Sequence, residues 1–162
     1  MDTIKVIVET PKGSQFKYKY DTKKEWFTVH KALPIGLSFP YDFGFIPGSK
    51  GDDGDPLDVL ILSEFSFTQG AMLECRIIGS MKAEQTDKEE TIRNDRIFAY
   101  PDLKGFYPVY NEMDDIQKEK LKEIEKFFIY YNAIQNKNFK PLGILNAKET
   151  LKIIKQQSAV KK

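Results

Sequence analysis

The sequence predicts a mainly β, α+β fold: an antiparallel sheet or small barrel from the first two-thirds of the chain, with two helices in the last third. Two observations carry this. Short apolar and aromatic runs recur as far as Ala99, separated by turns rich in Gly, Pro, Asp or Lys, which is the pattern of short strands joined by tight connections. Beyond Asp114 the apolar residues switch to helical spacing.

Strands are expected from Ile4 to Val8, Phe16 to Tyr20, Trp26 to Val29, Leu57 to Leu62, Met72 to Ile78 and Arg96 to Ala99. In Phe16-Lys17-Tyr18-Lys19-Tyr20, alternation places the three aromatics on one face, toward the core, and Lys17 with Lys19 on the other. The charged segment from Asp87 to Arg96 reads as a mobile loop, and Asp102 to Asn111, with Gly105 and Pro108, as a connection. A helix is expected to start at Asp114, with Gln117 completing a cap pair and Leu121, Ile124, Phe128 and Tyr131 forming its apolar stripe. Asn146 and Glu149 repeat the capping pattern ahead of Leu151 and Ile154, which predicts a second, shorter helix.

A chain of 162 residues is long enough for one packed domain and short for two, so a single domain over 1–162 is expected, fraying from about 157 to 162. A formal charge of +1 removes any overall polyelectrolyte attraction to nucleic acid, so a charged site must be local. The single Cys75 lies in the apolar run Leu73 to Ile78 and reads as a buried thiol of a reducing compartment. The N-terminus lacks signal-peptide regions, and no apolar run approaches the roughly 20 residues that span a bilayer. A soluble, cytoplasmic protein without membrane partners is the expectation. His30 is the only histidine, which disfavours a Ser-His-Asp triad or a histidine-rich metal site. It is read as a turn or partly exposed residue.

The most informative segment is Asp53-Gly54-Asp55-Pro56-Leu57-Asp58, running into Val59-Leu60-Ile61-Leu62. Asp53 and Asp55, two apart on extended backbone, point the same way, and the bend at Pro56 lets Asp58 return toward them. Close carboxylates raise one another's pKa unless a cation neutralises them, and an oxygen-only donor set suits a hard ion such as Mg²⁺, Mn²⁺ or Ca²⁺. A solvated acidic turn is the plain alternative. A calcium loop is another: Asp53, Asp55 and Glu64 fit its first, third and twelfth positions, but Leu57 and Asp58 occupy the fifth and the sixth, where a glycine is required.

The run Phe39-Pro40-Tyr41-Asp42-Phe43-Gly44-Phe45-Ile46, followed by the acidic hexapeptide, resembles the soluble, metal-dependent inorganic pyrophosphatases, whose Y-P-x-N-Y-G-Y-I-like segment precedes a D-G-D-P-x-D signature. Glu9 to Pro11, Lys17-Tyr18 and Phe127-Phe128 leading to Tyr131 agree in order. The resemblance implies a small, closed, OB-like antiparallel β-barrel with two helices packed outside, a cytoplasmic homo-oligomer, often a hexamer, and Mg²⁺-dependent hydrolysis of pyrophosphate. By that match Asp53 and Asp58 hold the ions, Asp55 accepts a proton or orients the nucleophile, Lys17 and Tyr131 hold phosphate oxygens, and Glu9 serves an outer metal.

Several positions depart from the family pattern. Lys19 replaces a glutamate, Lys31 an arginine, and Phe39 and Phe43 tyrosines; Asn94 occupies an aspartate position, Arg96 a lysine position, and Asn132 follows Tyr131 where a lysine is usual. Lysine lacks arginine's bidentate fork, and phenylalanine cannot donate tyrosine's hydrogen bond. Two readings follow. In one, Lys19, Lys31 and Arg96 bind the phosphates of pyrophosphate or another phosphoanhydride while Glu84, Glu89 or Asp95 restores a metal ligand. In the other, the protein is a weakened or inactive homologue that binds metal, phosphate or a protein partner. Single-stranded nucleic-acid binding by a barrel bearing Phe39, Tyr41, Phe43 and Phe45 is a third class, disfavoured by the lack of net positive charge.

Overall fold

The computed structural model describes residues 3–105 and 110–159. Its strands are β1 (Thr3–Thr10), β2 (Phe16–Asp21), β3 (Trp26–Ala32), β4 (Asp42–Phe45), β5 (Asp58–Ile61), β6 (Met72–Asp87), β7 (Glu90–Arg93), β8 (Arg96–Pro101) and β9 (Lys137–Asn146); its helices are α1 (Lys118–Ala133) and α2 (Ala147–Ala159). Five strands close on themselves in the order β1-β4-β5-β8-β6 and back to β1, giving the OB-like barrel that the resemblance implies. One pair, β5 with β8, is parallel. The β2–β3 hairpin stands apart from the ring, and β6 runs beyond it to pair with β7 and β9.

Alternation along the central strands sends side chains into two cores. Val59 and Ile61 of β5, Ile97 and Ala99 of β8, Ile77 of β6 and Val6 and Val8 of β1 meet inside the barrel, with Ile154 of α2 against them. Leu60, Phe98 and Ile78, one residue out of phase, pack with Ile124, Phe127, Phe128 and Tyr131 of α1. Both faces of these strands are therefore buried, which is why they read as continuous apolar runs.

Four local expectations need correction. The charged stretch from Asp87 is the tip of the β6–β7 hairpin, where Lys88 adopts φ 58° and Asp87 pairs with Glu90. Charge there marks a solvated ladder, not an unpaired loop. Asp114 lies in a 3₁₀ turn over Met113–Asp115, capped reciprocally by Glu112 and Asp115, and α1 starts only at Lys118. Strand β9, absent from the sequence reading, contains Pro141 and Gly143, both poor strand formers. Nine residues of β6 give it a partner regardless, with a register shift between Lys82 and Ala83 opposite Pro141. The aromatic face of β2 is not in the core: Phe16 is exposed and Tyr18 and Tyr20 half-buried, because β2 pairs only with β3 in a two-stranded sheet outside the barrel.

The second capping pair forms as read. The Asn146 N–H donates to Glu149 Oε2 at 2.9 Å and the Glu149 N–H to Asn146 Oδ1 at 2.9 Å. Helix α2 runs to Ala159, past the expected onset of fraying, while 160–162 and the middle of the Asp102–Asn111 connection, 106–109, lie outside the described residues.

Gly79 sits where β6 meets β8, β9 and the 3₁₀ turn at once. A Cβ there would lie 2.4 Å from Met113 Cγ and 2.5 Å from the Leu145 carbonyl oxygen. The methionine can swing aside, but the carbonyl belongs to a paired strand. Gly79→Ala is expected to lower stability by about 1–3 kcal/mol, read as a shifted urea midpoint with unchanged slope.

Candidate active site

A cleft of about 200 Å³ opens between the β2–β3 hairpin, the acidic loop ahead of β5 and the end of α1. The acidic loop is shaped by its own backbone. The Gly51 N–H donates to the Asp55 carbonyl at 2.8 Å, the Asp55 N–H to Asp53 Oδ1 at 3.0 Å, and Gly54 adopts φ 85°, which L side chains disfavour. Ser49 locks the exit by accepting the Leu57 N–H at 2.9 Å and donating to the Ile46 carbonyl at 2.6 Å. Asp58 then opens β5 opposite Phe45. All three aspartates line the cleft, as their spacing requires, yet among the described residues no three carboxylates close around a common point.

Partial burial, foremost, together with the charges of Asp58 and Asp55, raises the Asp53 carboxyl above the usual range, against the Asp55 N–H that lowers it. The other carboxylates have cations. Glu9, on β1, holds Lys17 Nζ at 2.6 Å and accepts the Tyr20 N–H at 3.1 Å, so both its oxygens are engaged. Asp58 holds Arg96 Nη1 at 2.5 Å, and Asp55 holds Lys19 Nζ at 3.4 Å.

These pairs differ in how readily they can part. Lys17 and Glu9 retain 14% and 10% side-chain exposure, so removing one partner strands a buried charge at a cost of roughly 3–5 kcal/mol. Lys19 and Asp55 are about half exposed, and such pairs are worth about 0–1 kcal/mol. Among the three paired carboxylates Asp55 is therefore the most easily freed for chemistry, and Glu9 acts more as the anchor of Lys17 than as an open ligand.

Aromatic rings floor the site where the family pattern has tyrosines. Lys17 Nζ lies 4.2 Å from the centre of the Phe43 ring and Lys31 Nζ 4.6 Å from that of Tyr131, both over the electron-rich face. Burial and the charge of Asp58 and Glu9 push the Tyr131 hydroxyl upward, against Arg96, so it stays a donor. Arg96, 5% exposed, stacks over Phe128 at 4.8 Å and also donates to Asn94 Oδ1 at 3.2 Å.

Asp95 is not brought into this cleft. Its carboxylate takes Arg93 at 2.6 and 3.1 Å and the Ala83 N–H at 3.0 Å, and it lines a neighbouring depression together with Asp53 and Asp58. Glu84 and Glu89 are likewise absent from the cleft wall; Gln85, next to Glu84 on β6, points in instead and accepts the Asn94 amide at 2.9 Å. Sequence reasoning missed Gln85 and Lys137. The alternation of β6 could have exposed Gln85 had the strand been extended past Ile78, while Lys137 depends on β9, which propensity hides. His30 is exposed on β3 at the cleft wall, its pKa lowered first by burial and then by surrounding lysines.

A family model described as inorganic pyrophosphatase matches residues 6–161. The chain belongs to the inorganic pyrophosphatase family. Among curated pyrophosphatases it is 37% identical to that of Nanoarchaeum equitans, covering 92% of this chain and 91% of the relative. It is 33% identical to that of Saccharolobus solfataricus, with 93% and 89% covered. The solved inorganic pyrophosphatase of Coxiella burnetii superposes with a TM-score of 0.89 at 30% identity over 99% of this chain and 96% of that one, and the Helicobacter pylori pyrophosphatase with 0.88 at 28% over 98% and 93%. This pyrophosphatase family is metal-dependent. Asp53, Asp55 and Asp58 fit a hard cation chemically, since they bring oxygen-only donors to one cleft. Gln85 and Asn94, neutral and bonded to each other, do not extend that ligand set.

Burial, then the charges of Lys137, Lys17, Arg96 and Lys19, lowers Lys31 from 10.5 to about 8. The charged amine is the disfavoured form in the folded protein. As pH rises through about 8 the native amine sheds its proton while the unfolded one keeps it until about 10.5, so this group adds stability across that window. Anion affinity moves the opposite way. Calorimetric phosphate affinity is expected to fall between pH 7.5 and 9 relative to a Lys31→Arg variant, whose guanidinium stays charged.

Proposed function

We propose that this cleft hydrolyses inorganic pyrophosphate to two phosphates, using Mg²⁺, with Mn²⁺ as the alternative. The observation that carries the reading is the meeting of Asp53, Asp55 and Asp58 with Lys17, Lys19, Lys31, Arg96 and Tyr131 in one cleft. Asp53 and Asp58 would hold the divalent ion, which when bound lowers the pKa of the attacking water and neutralises phosphate charge. Asp55 would take the water's proton once its weak pair with Lys19 opens. As water attacks one phosphorus, the bond to the bridging oxygen breaks and its electron pair leaves with the second phosphate. Lys17, Lys31 and Arg96 offset the charge that builds there, and Tyr131 donates from a hydroxyl that stays protonated.

A second reading, tight anion binding with slow turnover, is favoured by the Gln85–Asn94 amide pair on the wall beside Arg96. Phosphate release from pyrophosphate across Mg²⁺ and Mn²⁺ concentrations separates the two: release that rises with either ion supports hydrolysis, and binding without release supports the alternative.

Self-association belongs to the proposal, since α1 leaves Ile129, Tyr130 and Ile134 exposed, and light scattering would show whether six copies assemble. So does a cytoplasmic setting, consistent with a buried Cys75 whose thiol burial pushes up to about 12. Among the described residues no helix is long and apolar enough to cross a membrane.

Asp55→Asn should lower kcat by about 10²–10⁴-fold, the range for loss of a general base, while leaving the thermal midpoint nearly unchanged because the side chain is half exposed. Steady-state phosphate release and a melting curve on the same sample check both halves.

A further inference from the structure

The cleft carries five cationic side chains, Lys17, Lys19, Lys31, Arg96 and Lys137, against four carboxylates, Glu9, Asp53, Asp55 and Asp58. Positive charge therefore exceeds negative before any ligand enters. Three carboxylates are matched with a cation each, leaving Lys31 and Lys137 without an acidic partner among the described residues.

The hairpin sets Lys17 directly opposite Lys31 in the β2–β3 register. Like charges so placed destabilise a sheet unless something lies between or beside them, and the Glu9 carboxylate, its other oxygen taken by the Tyr20 N–H, pairs with Lys17 and not with Lys31. The opposite wall adds no countercharge: Gln85 and Asn94 satisfy one another, and Arg96 Nε is buried without a hydrogen-bond acceptor.

Building on the pyrophosphatase reading, we propose that the cleft takes its phosphoanhydride as the free, uncomplexed anion. Lys19 and Lys31 on the hairpin wall and Lys137 on β9 supply the positive charge that additional metal ions would supply, and cation binding is confined to the Asp53–Asp58 loop. The ammonium of Lys19 is well suited to this, since its present pair with Asp55 is exposed and weak. Lys137, at the start of β9, closes the cluster from the side facing Lys31.

The test is calorimetric titration of the full chain with sodium pyrophosphate, first in EDTA and then with Mg²⁺. Binding in EDTA that weakens by roughly 10- to 100-fold in Lys19→Ala and in Lys137→Ala, as loss of a charge-assisted hydrogen bond predicts, supports the proposal. Lys24→Ala, on the hairpin but outside the cleft, serves as the control and should bind like the parent. Binding that appears only after Mg²⁺ is added overturns the free-anion proposal and leaves the pyrophosphatase reading standing. Absence of both binding and phosphate release, with and without Mg²⁺, overturns that reading as well.

Discussion

The buried pairing of Glu9 with Lys17 and of Asp58 with Arg96 is the constraint on which the rest of the site depends. Each pair ties two elements: β1 to the β2–β3 hairpin in the first case, β5 to β8 in the second. Glu9, Lys17 and Arg96 lie largely away from water, where charges are tolerable only in pairs, so lifting the hairpin from the barrel, or the acidic loop from β8, strands one of them. The site is thereby held open at a fixed width.

Aromatic packing turns that frame into a polarised cleft. Phe43 lies under Lys17 with Arg96 nearby, and Phe128 and Phe139 under Arg96, so the cations face ring quadrupoles, at Phe43 in place of the hydroxyl of the family pattern. The rings lower the local dielectric and hold cations without neutralising them. A floor of this kind favours a multiply charged anion and makes each unpaired lysine above it more effective than it would be in water.

The same geometry separates rigid from exchangeable parts. Glu9, with both oxygens engaged, is a strut; Asp55 and Lys19, half exposed at 3.4 Å, can part for little energy. An enzyme that moves a proton while holding a phosphate firmly needs both kinds of carboxylate, and here one sits on a barrel strand and the other on a turn.

By itself the sequence determined four of the five barrel strands, with β4 left unread, together with the capped second helix and the meeting of Asp53, Asp55 and Asp58 at one cleft. These follow from apolar runs, from capping pairs and from spacing within six residues, all of which are local properties. Tertiary structure alone decided which carboxylates are free. Asp95 is a candidate ligand in the sequence; in the fold it lines the adjoining depression with Asp53 and Asp58, and Arg93 and the Ala83 N–H engage its carboxylate. Lys137 reaches the cleft only because β6 recruits a strand containing proline and glycine, and the aromatics of β2 stay out of the core because the hairpin pairs only with itself. Long-range pairing and burial set the charge balance of the cleft, and neither is encoded in any window of neighbouring residues.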